Sequence, residues 1–239
     1  MMINNKPLLG IIGGMGTASG IHFQKLFLDV CIENGVKGDQ DYPEWIYFNA
    51  SKAPDRTKAL LNNGTSPVEY LIEVINKMKK AGVDLIVVIC NTAHSFYKEI
   101  MKETNIPWID LQKETATFIK ASGYSSVSLL STEGTLKSGV YRNAIEPLGI
   151  NYFEPEINSD MQKKITDSIY NTTYGIKYTG AKISGEAIKI LQGVVDQLNT
   201  EAIIAGCTEI SIVEKELSLK SNWLDSMKIA ARACYKHLN

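Results

Sequence analysis

Leu85-Ile-Val-Val-Ile-Cys90-Asn-Thr-Ala-His94 is a short apolar run that ends in a cysteine and passes at once into polar residues. Ala202-Ile-Ile-Ala-Gly-Cys207-Thr-Glu-Ile210 repeats that arrangement 117 residues later. A short, unbroken, largely β-branched run suits a strand buried on both faces, and the polar residues after it can begin a helix. A thiol at such a junction sits where the peptide dipoles favour thiolate. The repeat extends further. Leu9-Gly-Ile-Ile-Gly-Gly-Met-Gly16-Thr17 is echoed by Val127-Ser-Leu-Leu-Ser-Thr-Glu-Gly134-Thr135, and Trp108-Ile-Asp110 by Trp223-Leu-Asp225. Three anchors in the same order, at offsets of 118, 117 and 115 residues, point to a duplicated unit.

Outward from these anchors, strand-like runs alternate with helical ones, the pattern of parallel sheets with helices on their faces. Strands are predicted at Leu8–Ile12, Trp45–Asn49, Asp84–Ile89 and Trp108–Ile109, then at Ser126–Leu130, Ile150–Phe153, Glu201–Ala205 and Trp223–Leu224. Helices are predicted at Ala18–Glu33, Pro67–Ala81, Ser95–Thr104 and Lys113–Ala121. The second half has Thr135–Leu148, Ile157–Asn171, Gly180–Leu198 and Met227–Leu238. Ala50–Gly64 and Asn171–Thr179 are left as the long loops, where ligand contacts often sit. The fold class expected is α/β, with two pseudo-symmetric Rossmann-like domains. Each has a parallel sheet, and the active site lies in the cleft that faces both sets of strand C-termini.

Bulk composition narrows the function. In 239 residues, 25 basic and 26 acidic side chains leave a formal net charge of −1, which argues against nucleic acid as a partner. No apolar run approaches the roughly 20 residues of a membrane span, so no membrane partner is expected. Met1–Gly10 lacks the charged and apolar regions of a signal peptide. Cys31, Cys90, Cys207 and Cys234 have no zinc-type spacing, and no metal is expected. Cys31 and Cys234 read as small core residues, and the expected setting is the reduced cytoplasm.

Two thiols facing one cleft suit reversible proton transfer at a carbon acid, one removing a proton and the other donating from the opposite side. With a reference pKa of about 8.5, both protonation states are within reach near neutrality. A positioned base supplies only about 10²- to 10⁴-fold. The rest must come from donors aimed at the developing enediolate, for which Asn91, Thr92 and Thr208 are placed. Arg56 and Lys177, on the two long loops, could hold carboxylates.

Gly13-Gly-Met-Gly16, Pro54-Asp-Arg-Thr57, Cys90-Asn-Thr-Ala-His94 and Gly206-Cys-Thr-Glu-Ile210 together resemble the aspartate/glutamate racemase superfamily, and its aspartate racemases in particular, over nearly the whole chain. The resemblance implies an amino-acid racemase that uses no cofactor and forms a homodimer. It implies Cys90 and Cys207 as the catalytic bases. It also implies Met15, Arg56, Asn91, Thr92, Ala93, Thr132, Lys177 and Thr208 as substrate-binding residues. His94 and Glu209 are candidate supporting groups. Family members return the last helix to the first domain, which implies a first domain of residues 1–111 with 226–239 and a second of 112–225.

Glutamate racemases have Gly-Cys-Thr-His at the second cysteine where this chain has Glu209, and broad-specificity relatives often lack the first cysteine, kept here as Cys90. Retention of both cysteines with Arg56 favours racemisation of aspartate. A related decarboxylase or cis–trans isomerase, a racemase of glutamate or of a broader range, and a non-catalytic binding protein stay open as alternatives. Simpler roles also exist for single residues. His94 could merely bond a helix start, Glu209 cap its helix, and Asp110 and Asp225 cap strand-end turns.

Overall fold

The computed structural model describes residues 6–61, 64–180 and 182–239. Residues 1–5 of the stretch read as no leader, 62–63 of the first long loop and 181 of a predicted helix lie outside the described residues. The first half contains β1 (Leu9–Gly13), α1 (Thr17–Glu33), β2 (Trp45–Asn49), α2 (Arg56–Leu60) and α3 (Val68–Lys80). It continues with β3 (Leu85–Val88), α4 (Tyr97–Glu103), β4 (Trp108–Ile109) and α5 (Leu111–Ser122). The second half contains β5 (Ser126–Leu130), α6 (Glu133–Ser138), α7 (Val140–Ile145), β6 (Asn151–Phe153), α8 (Asp160–Tyr170) and α9 (Ile176–Thr179). It ends with α10 (Gly185–Val195), β7 (Ala202–Ala205), α11 (Thr208–Ile212), β8 (Asn222–Asp225) and α12 (Ser226–Leu238).

The strands form two parallel four-stranded sheets of matching order, β2-β1-β3-β4 and β6-β5-β7-β8. The central strands feed both faces of their sheets. Leu85, Val87 and Ile89 join the core under α1 and α12, whereas Ile86, Val88 and Cys90 join the core under α3 and α4. That two-residue period, with both faces covered by helices, is why the strands read as continuous apolar runs. In the second sheet Val127, Leu129 and Ile204 face α5 and α7, while Leu130, Ile203 and Ala205 face α8 and α10.

Two features join the halves. Asp110 and Asp225 each end a strand and cap the next helix: Asp110 Oδ1 accepts from the Gln112 and Lys113 amides at 3.0 Å, and Asp225 Oδ1 from the Met227 amide at 2.8 Å. α12 then leaves the second sheet and buries Met227, Ala230, Ala231, Cys234 and Leu238 among Leu9, Ile11, Phe23, Phe27 and Cys31 of the first.

Two predicted helices and both predicted loops differ from what is observed. The helix predicted at Thr135–Leu148 is broken into α6 and α7, because Gly139 adopts a left-handed φ of 66° between them. The helix predicted from Gly180 starts only at Gly185, where the Ser184 hydroxyl accepts from the Glu186 amide. Both long loops carry a short helix, α2 and α9, each too brief for apolar periodicity to reveal.

Candidate active site

Three strand ends supply the centre of the site. Cys90 follows β3 and opens a 3₁₀ turn over 91–96, and Cys207 follows β7 and opens α11. The Gly-Gly-Met-Gly turn follows β1. Its Gly14 has φ +86°, and a side chain there would run into Asn49 and the Ala50 amide, so only glycine brings the chain back toward the cleft. The turn thereby presents the Met15 carbonyl to two cations, Arg56 Nη2 at 2.7 Å and Lys177 Nζ at 3.1 Å. Arg56 opens α2, behind the Asp55 cap, and Lys177 sits on α9. The two helices absent from the sequence-based reading are therefore the ones that carry the cations.

Both cysteine-led helices are short, so the charges around each sulfur come mainly from side chains. The Cys207 thiol donates to Glu209 Oε2 at 3.1 Å, and Lys177 Nζ pairs with Glu209 Oε1 at 3.2 Å. Burial, reinforced by the Glu209 charge, pushes the Cys207 pKa well above the usual thiol range. Burial alone would also raise Glu209, but Lys177 and the Cys207 S–H outweigh it and hold the carboxyl below its ordinary value. Lys177 is the mirror case: burial would lower it, and Glu209 keeps it charged. On the other side the Arg56 guanidinium faces Cys90. Burial works against its charge, while Cys90 and Asp55 outweigh that and keep it ionised. Arg56 Nη1 donates to Pro54 O at 2.9 Å, whereas the buried Nε has no partner among the described residues.

A polar floor ties the halves together beneath the thiols. Thr92 Oγ1 lies 3.1 Å from Thr132 Oγ1 and 2.9 Å from Thr135 Oγ1. Asn91 Oδ1 accepts from Tyr141 OH at 2.7 Å and Gln112 Nε2 at 3.1 Å, and Asn91 Nδ2 donates to Ser226 Oγ at 3.2 Å. Ser226 in turn donates to Ala205 O beside Cys207. Such a fully bonded network fixes the Asn91 rotamer.

Of the residues expected in the site, Met15, Arg56, Cys90, Asn91, Thr92, Thr132, Lys177, Cys207, Thr208 and Glu209 line one small cavity. Ala93 is buried, and its amide is spent on the Cys90 carbonyl at 3.0 Å. His94 is not brought to the cluster. Its Nε2 lies 3.2 Å from Val88 O, its ring packs edge-on against Trp108, and burial lowers its pKa. Thr57 and Tyr170 also line the cavity. Thr57 was signalled only by its motif, and Tyr170, at the end of α8, carried no sequence signal. Among the described residues no three His, Cys, Asp or Glu side chains cluster closely enough to hold a metal ion.

The family model described as Asp/Glu/Hydantoin racemase matches residues 12–234. The chain belongs to that family. The aspartate racemase of Picrophilus torridus superposes with a TM-score of 0.82 at 28% identity, over 96% of this chain and 93% of that one. The broad specificity amino-acid racemase RacX of Bacillus subtilis (strain 168) is 26% identical over 230 residues, 90% of this chain and 100% of RacX. A glutamate racemase of Aquifex aeolicus is 25% identical over 187 residues, 72% of this chain and 63% of that protein. Membership makes the chain an amino-acid racemase of this superfamily, and the two sheets are the two domains of the racemase fold. No helix among the described residues is long and apolar enough to cross a membrane.

Proposed function

We propose that this racemase interconverts L- and D-aspartate by proton transfer at the α-carbon between Cys90 and Cys207, without pyridoxal phosphate or another cofactor. One observation carries the reading: a single cavity holds both thiols and two cations, with opposite charges set beside the two sulfurs. Arg56 is placed to balance negative charge that forms at Cys90, while Glu209 accepts the Cys207 S–H. Cys90 is thereby assigned the role of base and Cys207 that of acid for one enantiomer.

Aspartate brings two carboxylates to two cations. Arg56 and Lys177 both donate to one neutral carbonyl, that of Met15, and a carboxylate is the stronger acceptor for either. With the side-chain carboxylate on Arg56, the α-carboxylate lies near Lys177, Asn91, Thr92 and the backbone after Cys207. The Cys90 thiolate takes the α-proton, and the C–H electron pair passes into the α-carboxylate as an enediolate. Cys207 then gives its proton to the opposite face. The enzyme is left with a Cys90 thiol and a Cys207 thiolate, the form that accepts the other enantiomer. The base supplies about 10²- to 10⁴-fold, and the donors around the enediolate supply the larger share.

The test is proton NMR of L-aspartate in D₂O with chiral analysis alongside. Loss of the Cα–H signal with D-aspartate appearing is expected, and Cys90→Ala and Cys207→Ala should each lower racemisation by at least about 10²-fold. Undiminished racemisation by either variant would remove the two-base mechanism. Light scattering of the same sample tests the homodimer, which the reading includes.

A further inference from the structure

Gly16 has no conformational reason to be glycine. It precedes α1 with φ −121° and ψ 128°, extended backbone that any residue adopts. Gly14, two residues earlier, is the opposite case, with its left-handed φ and backbone amides in the way of a side chain. At Gly16 the obstacle is one side chain from the other half of the molecule. A Cβ there would run into Glu209 Oε1, with Glu209 Cδ at 3.2 Å and Ser19 Oγ at 3.1 Å as the next atoms. The three nearest atoms all belong to side chains, so the fold can admit a methyl group if the carboxylate gives way.

The carboxylate has a reason to lie there. α1 runs for 17 residues, its first turn Thr17-Ala-Ser19 carries no acid, and no side chain among the described residues caps it. The first amides of such a helix carry partial positive charge. Glu209, arriving from α11, brings its negative charge to that end of the helix. The same carboxylate accepts the Cys207 S–H on Oε2 at 3.1 Å and the Lys177 ammonium on Oε1 at 3.2 Å. Oε1, the atom that a Cβ would strike, is thus the oxygen paired with Lys177. The two oxygens are rigidly linked, so a push on Oε1 also carries Oε2 away from the sulfur. Glu209 is 4% exposed, which leaves it little space to move without losing these partners.

We propose that Gly16 is a positioning residue for the racemisation: the side chain it lacks leaves room at the start of α1 for the Glu209 carboxylate, which in turn orients the Cys207 thiol. The helix of the first half thereby sets the acid of the second. The inference rests on the two-thiol reading above and deepens it.

Wild type, Gly16→Ala, Glu209→Ala and the double variant are compared for kcat/KM on L-aspartate, with thermal melts to confirm folding. Gly16→Ala should lower kcat/KM by at least about 10-fold, since a misplacement of about 1 Å near a reacting group can cost about 10²-fold. In the Glu209→Ala background the carboxylate no longer blocks the added methyl, and Gly16→Ala should cost less than about 2-fold. Losses that multiply would place the effect of Gly16 elsewhere and overturn the proposal, as would wild-type kinetics in a folded Gly16→Ala protein. The alkaline limb of kcat/KM, where the two thiols give up the one proton they share, is a readout that a merely structural role would not move. A carboxylate turned away from the sulfur makes the thiolate less costly, so in Gly16→Ala this limb should move to lower pH. Arg56, Cys90, Tyr170, Lys177 and Cys207 line the same cavity and are unchanged in that variant, so the shift reports the carboxylate. An unmoved limb would also overturn the proposal, and it decides alone if Glu209→Ala does not fold. Folding of Gly16→Ala only in the Glu209→Ala background would support the clash, and failure in both backgrounds would refute it. Wild type without any Cα–H exchange on aspartate would sink the underlying reading, an outcome distinct from an active wild type whose losses multiply.

Discussion

Glu209 accepts from three side chains, the Cys207 S–H and the Thr208 hydroxyl on one oxygen and the Lys177 ammonium on the other. Its folded pKa is depressed relative to the unfolded chain, since Lys177 and Cys207 outweigh burial. A depressed carboxyl stabilises the fold above the unfolded value of about 4.3, and that contribution is lost as pH falls through the lower folded value. Glu209→Gln should flatten the acid side of the stability curve between pH 7 and 3, measured by urea melts. At neutral pH it should cost about 3 kcal/mol, the low end for a broken buried pair, because Lys177 is 24% exposed. Parallel wild-type and variant curves would detach the carboxylate from acid stability. Arg56 offers a second test. If its fork takes the substrate's side-chain carboxylate, Arg56→Ala should raise KM for aspartate by on the order of 10²-fold and leave KM for alanine much closer to wild type. Equal effects on both would take Arg56 out of side-chain recognition.

At the scale of elements, the cleft depends on how closely α6 approaches α2. Gly134 lies in α6, and a Cβ there would meet Thr57 Cα at 2.8 Å and Thr92 Cγ2 at 3.0 Å. The nearest obstacle is backbone, so α2 must move, and α2 carries Arg56 at its start. Overpacking of this kind costs about 1–3 kcal/mol when the structure holds its place. Here the strain can be relieved by opening the cleft, which converts a stability cost into a catalytic one. Gly134→Ala should therefore lower kcat/KM by at least about 10-fold, while the melting temperature falls by only about 2–8 °C. Unchanged kinetics would mean that α2 tolerates the shift without moving the guanidinium.

For the whole molecule, the element that binds the halves into one unit is α12, which follows the last strand of the second sheet but fills the core of the first. Burying Met227 and Leu238 alone is worth about 1.5–3 kcal/mol each, set against a total stability of about 5–15 kcal/mol. A chain ending at Asp225 should fail to fold, which loss of the cooperative melt and binding of a hydrophobic dye would report. Ser226 adds a second link, since its hydroxyl joins Asn91 of one half to Ala205 of the other. Displacement of α12 would therefore reach the site through Asn91 as well as through the core.

All eight strands lie within a residue or two of where the sequence places them: β1, β3, β5 and β7 are short runs buried almost throughout, and the edge strands β2 and β6, though partly exposed, still carry aromatic or β-branched residues. The duplicated cysteines, the Gly-Thr steps and the Trp-x-Asp ends likewise showed that two like units meet at their strand C-termini. Only the tertiary structure decided what surrounds each sulfur. Glu209 is two residues from Cys207, yet its effect depends on Lys177, which arrives from α9, and Arg56 reaches Cys90 from α2. Sequence neighbours could not show that His94, four residues from Cys90, turns away to Trp108, or that Tyr170, at the end of an ordinary amphipathic helix, lines the cavity of the thiols. Local pattern is set by which face of an element is buried. Charge and shape in a cleft are set by side chains that converge from distant elements, and those distances exist only once the chain has folded.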